Sequence, residues 1–135
     1  MTPAEARSRF VSARVARLAT VSADGVPHLV PVTFAVHGDT VVFAVDHKPK
    51  TSVALRRLRN IAENPAVCFL ADGYAENWSR LWWARADGVA RVLPDDERAE
   101  PVSWLVAKYD QYARRPPEHA VVVTDVHTWS GWAGS

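Results

Sequence analysis

The chain has 135 residues, 48% hydrophobic and 23% charged. These are the proportions of one globular domain spanning 1–135, and they exclude disorder, collagen-like repeats and a multidomain enzyme. Sixteen Lys and Arg against fifteen Asp and Glu leave a net charge of +1, so no general attraction to nucleic acid or membrane is expected and any anion site must come from a local cluster.

Thr2-Pro3-Ala4-Glu5 is a capping box that opens a short helix, with Phe10, Val11 and Val15 as its expected buried stripe. The apolar period then changes to two. A first strand is expected at about Ala16–Val21, then a turn at Ser22-Ala23-Asp24-Gly25 and a second strand from Pro27 to Val36. A second turn at His37-Gly38-Asp39 leads into a third strand, Thr40–Val45, which completes a meander. From Thr51 the period is helical, with Val53, Leu55, Leu58, Ile61 and Ala62 on one side, until Asn64-Pro65 stops it. A fourth strand covers Ala66–Ala71, followed by a polar loop from Asp72 to Arg80 and a long fifth strand, Leu81–Leu93, in which Gly88 marks a bulge. A further helix begins at Pro94-Asp95-Asp96-Glu97, carries Val102, Leu105, Val106 and Tyr109, and ends at Pro116-Pro117. Ala120–Val126 is the last strand. Six strands with helices set irregularly between them do not fit a doubly wound parallel sheet. The expected fold is mainly β, a small antiparallel barrel with peripheral α-helices.

Cys68 is the lone cysteine, which excludes an internal disulfide and a multi-cysteine metal site; in the apolar run Ala66–Leu70 it reads as a small buried hydrophobe. No apolar stretch approaches the ~20 residues of a membrane span and no export signal opens the chain, so a cytoplasmic protein is expected.

The most informative local feature is a run of five cations without a carboxylate, Lys48, Lys50, Arg56, Arg57 and Arg59, in a chain of balanced charge. Lys48-Pro49-Lys50-Thr51-Ser52 falls between a strand end and a helix start, where unpaired amides and the helix dipole favour an anion such as phosphate. The same cations also read as a solvated helix face. No Walker loop and no GxGxxG is present. Five of the six tryptophans, Trp78, Trp82, Trp83, Trp129 and Trp132, crowd into two short segments. Adjacent strand residues face opposite ways, so one of Trp82 and Trp83 packs inward while the other is free to meet a planar ligand or a second subunit. The five histidines are scattered, with no metal-ligand spacing. His28 and His47 are placed to hydrogen-bond a ligand, while His37 and His119 read as solvated turn residues. No catalytic acid, base or nucleophile stands out, as expected where a cofactor performs the chemistry.

In succession, Ala16-Arg17-Leu18-Ala19-Thr20, Asp24-Gly25-Val26-Pro27-His28, Lys48-Pro49-Lys50, Leu55–Ile61 with Asn64-Pro65, Asp72-Gly73-Tyr74, Leu81–Arg85 with Gly88, and Trp129-Ser130-Gly131-Trp132 resemble the split-barrel flavin and deazaflavin oxidoreductases related to pyridoxamine 5′-phosphate oxidase, and more closely their coenzyme F420 branch. The resemblance implies a six-stranded antiparallel split β-barrel and a homodimer whose two cofactor sites lie in the interface. It implies that Lys48 and Lys50, assisted by Thr51, grip the cofactor phosphate, and that the strand around His28, Val30 and Val32 lies along the tricyclic ring. Trp83 or its neighbour Trp82 would reach that ring from the other subunit. A charge argument adds Arg56 for the acidic polyglutamate tail. The implied reaction is hydride transfer between the deazaflavin and an electron-poor conjugated small molecule, with the proton from water, His28 or Tyr74. The alternatives are an FMN-dependent oxidase or reductase on the same fold, whose phosphate the same lysines would hold, and a non-catalytic binder of a flavin or tetrapyrrole. The last strand lacks the arginine that a true pyridoxamine phosphate oxidase would use on its substrate phosphate.

Overall fold

The structure is a computed structural model that describes residues 1–45 and 52–135, with 52–55 described for their backbone only. The first helix, α1, runs Pro3–Ser12. Its capping box forms as expected: the Glu5 amide donates to Thr2 Oγ1 at 3.2 Å and the Thr2 amide to Glu5 Oε2 at 3.0 Å. The buried face is Ala6 and Phe10, a spacing of one turn. Val11 is half-buried and Val15 is exposed, because the helix stops before Val15 can complete the predicted stripe.

Among the described residues seven strands form one antiparallel sheet: β1 Ala16–Val21, β2 Pro27–Val32, β3 Ala35–His37, β4 Thr40–Ala44, β5 Ala66–Gly73, β6 Trp82–Val92 and β7 Val121–Ala133. The order is β2-β1-β5-β6-β7-β4-β3, and the sheet curls into the expected split barrel. The count is seven rather than six because the predicted second strand breaks at Thr33-Phe34. Its first half pairs with β1, Thr20 opposite His28, and its second half with β4, Ala35 opposite Val42. The predicted three-strand meander is therefore corrected. β1–β2 and β3–β4 are separate hairpins on opposite edges of the sheet, and two residues carry the chain between those edges.

The inner core joins Leu18, Phe34, Phe43, Phe69 and Ala86 to Phe10 of α1, with the Phe10 and Phe34 rings 4.6 Å apart. A second core of Val42, Leu93, Leu105, Val121 and Val123 covers the other face of β4 and β7. Burial on both faces explains why Val41–Phe43 and Val121–Val123 are continuous apolar runs instead of alternating ones. β7 extends past the predicted Val126 because Thr128–Ala133 pairs with Trp82–Asp87. The predicted bulge is present as a register shift between Asp87 and Gly88, and a Cβ at Gly88 would collide with the Asp125 carbonyl.

Helix α2, Ser52–Glu63, buries Asn60 and Ile61, while Ala62 is exposed and Leu58 half-buried. Asn60 Nδ2 donates to Thr20 Oγ1 at 3.1 Å, so a buried polar link to β1 takes the place expected of Ala62. The predicted helix after Pro94 resolves into a 3₁₀ turn at Asp95–Glu97, α3 at Ala99–Lys108 and a short α4 at Asp110–Arg114. Tyr109, between them, is extended. His37 is not simply solvated: its ring stacks on Trp104 at 4.5 Å. The His119 carbonyl accepts from Arg98 at 2.7 Å. Cys68 is half-buried on the outer sheet face rather than in the core, opposite Ala19 and Asp87, and burial pushes its thiol pKa up. Among the described residues no helix is long and apolar enough to cross a membrane.

Candidate functional site

The break in the barrel wall is the origin of the site. Beside Thr33 lies a cavity of about 440 Å³ walled by Pro31 and Val32 of β2, Ala44 at the end of β4, Arg57 of α2, and Tyr109, Gln111, Tyr112 and Arg115 around α4. Proline fits β2 because β2 is an edge strand. Among the described residues the lining carries two guanidinium groups, three hydroxyls and an amide, and no carboxylate. Such a wall favours an anion.

A clasp holds the α4 side in place. Tyr109 Oη accepts from the Phe34 amide at 3.1 Å and donates to the Arg14 carbonyl at 2.8 Å, with the Phe34 carbonyl 3.0 Å away. Lys108 Nζ donates to the Ala13 carbonyl at 2.7 Å and lies 3.7 Å from the Phe34 ring centroid. Carbonyl and ring face both favour the ammonium charge, but burial and then the nearby Arg14 outweigh them and bring the Lys108 pKa down to about 8. Burial raises the Tyr109 pKa. Beyond the clasp, Thr33 Oγ1 and Tyr112 Oη are hydrogen-bonded at 3.0 Å.

On the opposite wall Arg57 is half-buried, its guanidinium 5.8 Å from the Phe43 ring centroid. Its Nε is buried without a hydrogen-bond partner among the described residues, and burial lowers its pKa. An arginine keeps its charge nonetheless, so the unpaired donor remains available to an acceptor. His28 Nδ1 is likewise buried and unpaired. Burial first, then Arg56 and Arg57, hold the His28 pKa below 6.5, which leaves the ring neutral at neutral pH.

The chain brings part of the predicted site together. His28, Val30 and Val32 share the inward face of β2, Val32 lines the cavity, and Arg57 faces it. Arg56 is exposed but close enough to act on His28. Lys48, Lys50 and Thr51, with His47, lie outside the described residues; they belong to the connection between Ala44 and Arg57, both of which line the cavity. Trp82 and Trp83 stand elsewhere in the chain. Trp82 packs against the inner core beneath Arg9, and Trp83 sits on the outer face near Arg85, 5.8 Å from ring centroid to guanidinium. They border a second cavity of about 400 Å³ with Leu70, Tyr74 and Trp132. Thr33, Tyr109, Gln111, Tyr112 and Arg115 are not among the predicted site residues. The spacing of Tyr109, Tyr112 and Arg115, three residues apart ahead of Pro116-Pro117, is the signal that could have found them.

These walls fit a planar anionic cofactor. Pro31 and Val32 offer an apolar face, and the orphaned Arg57 Nε needs a partner that the described protein does not supply; His28 Nδ1, farther along β2 and outside the lining, is orphaned as well. Solved structures of similar fold include the following three. The chain superposes on a FAD-binding protein of Mesorhizobium loti with a TM-score of 0.72 at 20% identity, covering 97% of this chain and 94% of that one. A FAD-binding protein of Mycobacterium smegmatis gives 0.64 at 21% identity, with 100% and 98% covered. A heme-binding protein of Mycobacterium smegmatis gives 0.79 at 22% identity, covering 99% of this chain, which spans only 55% of that longer one. At such identities these likenesses establish the fold. No match is found among curated proteins. The sequence itself matches the pyridoxamine 5′-phosphate oxidase family over residues 2–133, nearly end to end, and the chain belongs to that family.

Proposed function

We propose that the protein is an F420-dependent oxidoreductase that works as a homodimer on a small conjugated substrate. The observation that carries this is the cavity at the barrel split, where two guanidinium groups face an apolar strand with no carboxylate among the described lining residues. The binding named for the similar FAD- and heme-binding proteins supports a planar cofactor on this fold. The absence of arginine from β7 speaks against a pyridoxamine phosphate substrate.

When bound, the reduced deazaflavin supplies a hydride to one carbon of the acceptor's conjugated bond; a proton completes the other, and the acceptor gains the two electrons the coenzyme loses. The protein's part is binding and orientation. Lys48, Lys50 and Thr51 hold the phosphate, Val30 and Val32 support the ring, Arg56 meets the acidic tail, and neutral His28 offers an uncharged hydrogen bond. Tyr112 Oη, paired with Thr33, holds a proton at the cavity wall. Leu29, Leu70 and Trp132 stand exposed on the outer sheet face. Set among the ion pairs Arg17–Asp72 and Arg85–Asp87, these exposed side chains support association with a second copy, which brings Trp83 to the site.

Equilibrium titration of the purified protein with F420 and with FMN tests the reading. F420 is expected to bind at least about tenfold more tightly, a gap of ~1.4 kcal/mol. A protein that purifies yellow with FMN, or prefers it in titration, is instead an FMN enzyme. Binding of either cofactor without turnover of any conjugated acceptor identifies a binder.

A further inference from the structure

We infer that the cavity at the split selects an acceptor that carries its own carboxylate, and that Arg115 is the residue that reads it. This rests on the cofactor reading above and adds a substrate class to it. The two guanidinium groups of the cavity are not equivalent. Arg57 is half-buried on α2, the helix that directly follows the lysine-rich segment assigned to the cofactor phosphate. Arg115 stands exposed beyond the end of α4, on the wall that also carries Tyr112.

Among the described residues the Arg115 side chain is uncommitted. The four ion pairs among the described residues use Arg7, Arg17, Arg85 and Arg91. Arg14 and Arg98 donate to backbone carbonyls. Among the described residues Arg115 makes only a backbone hydrogen bond, from its amide to the Gln111 carbonyl at 3.0 Å. No carboxylate among the described lining residues offsets its charge.

A neutral acceptor would leave two like charges bordering one cavity. A carboxylate would instead offer a planar pair of oxygens to a planar donor fork, the best geometric match for arginine. The Gln111 amide and the hydroxyl pair of Thr33 and Tyr112 line the same space and supply further hydrogen-bonding groups. A one-ring acceptor takes up only part of a cavity of about 440 Å³, on its Arg115 side, and leaves the Arg57 side to the cofactor.

Cinnamate and cinnamamide share shape and conjugation but differ in charge, which makes them suitable probes by calorimetry or ligand-observed NMR on the full chain. Cinnamate should bind about tenfold more tightly than cinnamamide, as a charge-assisted contact predicts. Arg115→Gln should abolish that preference, and Arg115→Lys should retain part of it. Equal affinities in the unaltered protein, no binding of either probe, or a preference that survives Arg115→Gln would overturn the inference. So would Arg115→Gln weakening F420 instead of cinnamate, since the charge would then serve the coenzyme's own acidic groups. Failure of the cofactor reading registers separately, as an unaltered protein that does not bind F420.

Discussion

Tyr109 holds Phe34 at the point where the barrel wall breaks: its hydroxyl accepts from the Phe34 amide at 3.1 Å while remaining 3.0 Å from the Phe34 carbonyl. Thr33-Phe34 joins the two edge hairpins, so neither backbone group is taken up by a strand ladder. Tyr109→Phe removes the partner and leaves a part-buried amide unsatisfied. We expect a loss of about 1–3 kcal/mol in urea unfolding. A smaller loss would mean that water replaces the hydroxyl.

Lys108 makes stability depend on alkaline pH. A lysine with a folded pKa of about 8 against 10.5 unfolded carries fewer protons folded than unfolded between those values, so stability rises with pH across that window. Below pH 8 both states are charged and the penalty is constant. Tyr109, with its raised pKa, acts in the opposite sense above pH 10. The rise is therefore sought between pH 8 and 9.5, by chemical denaturation, and Lys108→Met should flatten it.

His28 should titrate below its ordinary value of 6.5. Below 6.5 the unfolded chain binds the proton more readily than the folded one, so this residue contributes a rise in stability as pH increases towards 6.5. Proton NMR of the ring measures the pKa directly. Replacing Arg56 and Arg57 together by Gln should move it upward, because their charges are the second and third causes after burial. An unmoved pKa would show that burial acts alone.

Lys50→Ala is expected to weaken F420 binding by about 1–3 kcal/mol, the usual size of a charge-assisted contact. Fluorescence titration reads it. Unchanged affinity would remove the phosphate assignment from this lysine and with it the main support for the basic junction as a cofactor grip.

Leu70→Glu tests association. Leu70 lies on the outer face near Trp132 and lines the same cavity, so a buried glutamate there would oppose a dimer. Light scattering should show the mass fall from dimer to monomer. A monomeric unaltered protein would refute the homodimer outright.

Local signals in the sequence correspond closely to local structure. The Thr2–Glu5 cap, the turn at Gly25 with its positive φ of 82°, and the bulge at Gly88 are all where residue chemistry places them. What escaped was set by distance along the chain. Nothing in Pro27–Val36 announces that its halves pair at opposite edges, since β-branched residues suit either partner equally. Val121–Val123 reads as a strand, but its continuation through Thr128–Ala133 depends on β6 lying alongside. The cavity wall was missed for the same reason. Tyr109 has the apolar spacing of α3, and only its approach to Phe34, 75 residues earlier, gives it another task. Val30 and Val32 were legible as a strand face, whereas Arg115 gains meaning only once α4 stands beside Thr33.

The break at Thr33-Phe34 also constrains how the chain can be assembled on a ribosome. The hairpins β1–β2 and β3–β4 are synthesised first and are tethered by two residues, yet β5, β6 and β7 must be inserted between them. The β5–β6 ladder is a local hairpin, but those that join it to the edges pair residues distant in sequence, such as Arg17 with Leu70 and Val41 with Thr124. Refolding is then governed by slow, non-local closure on a timescale of roughly milliseconds to seconds. A nascent chain halted before β7 emerges would hold the sheet β2-β1-β5-β6 and the β3–β4 hairpin with no ladder between them, and no closed core.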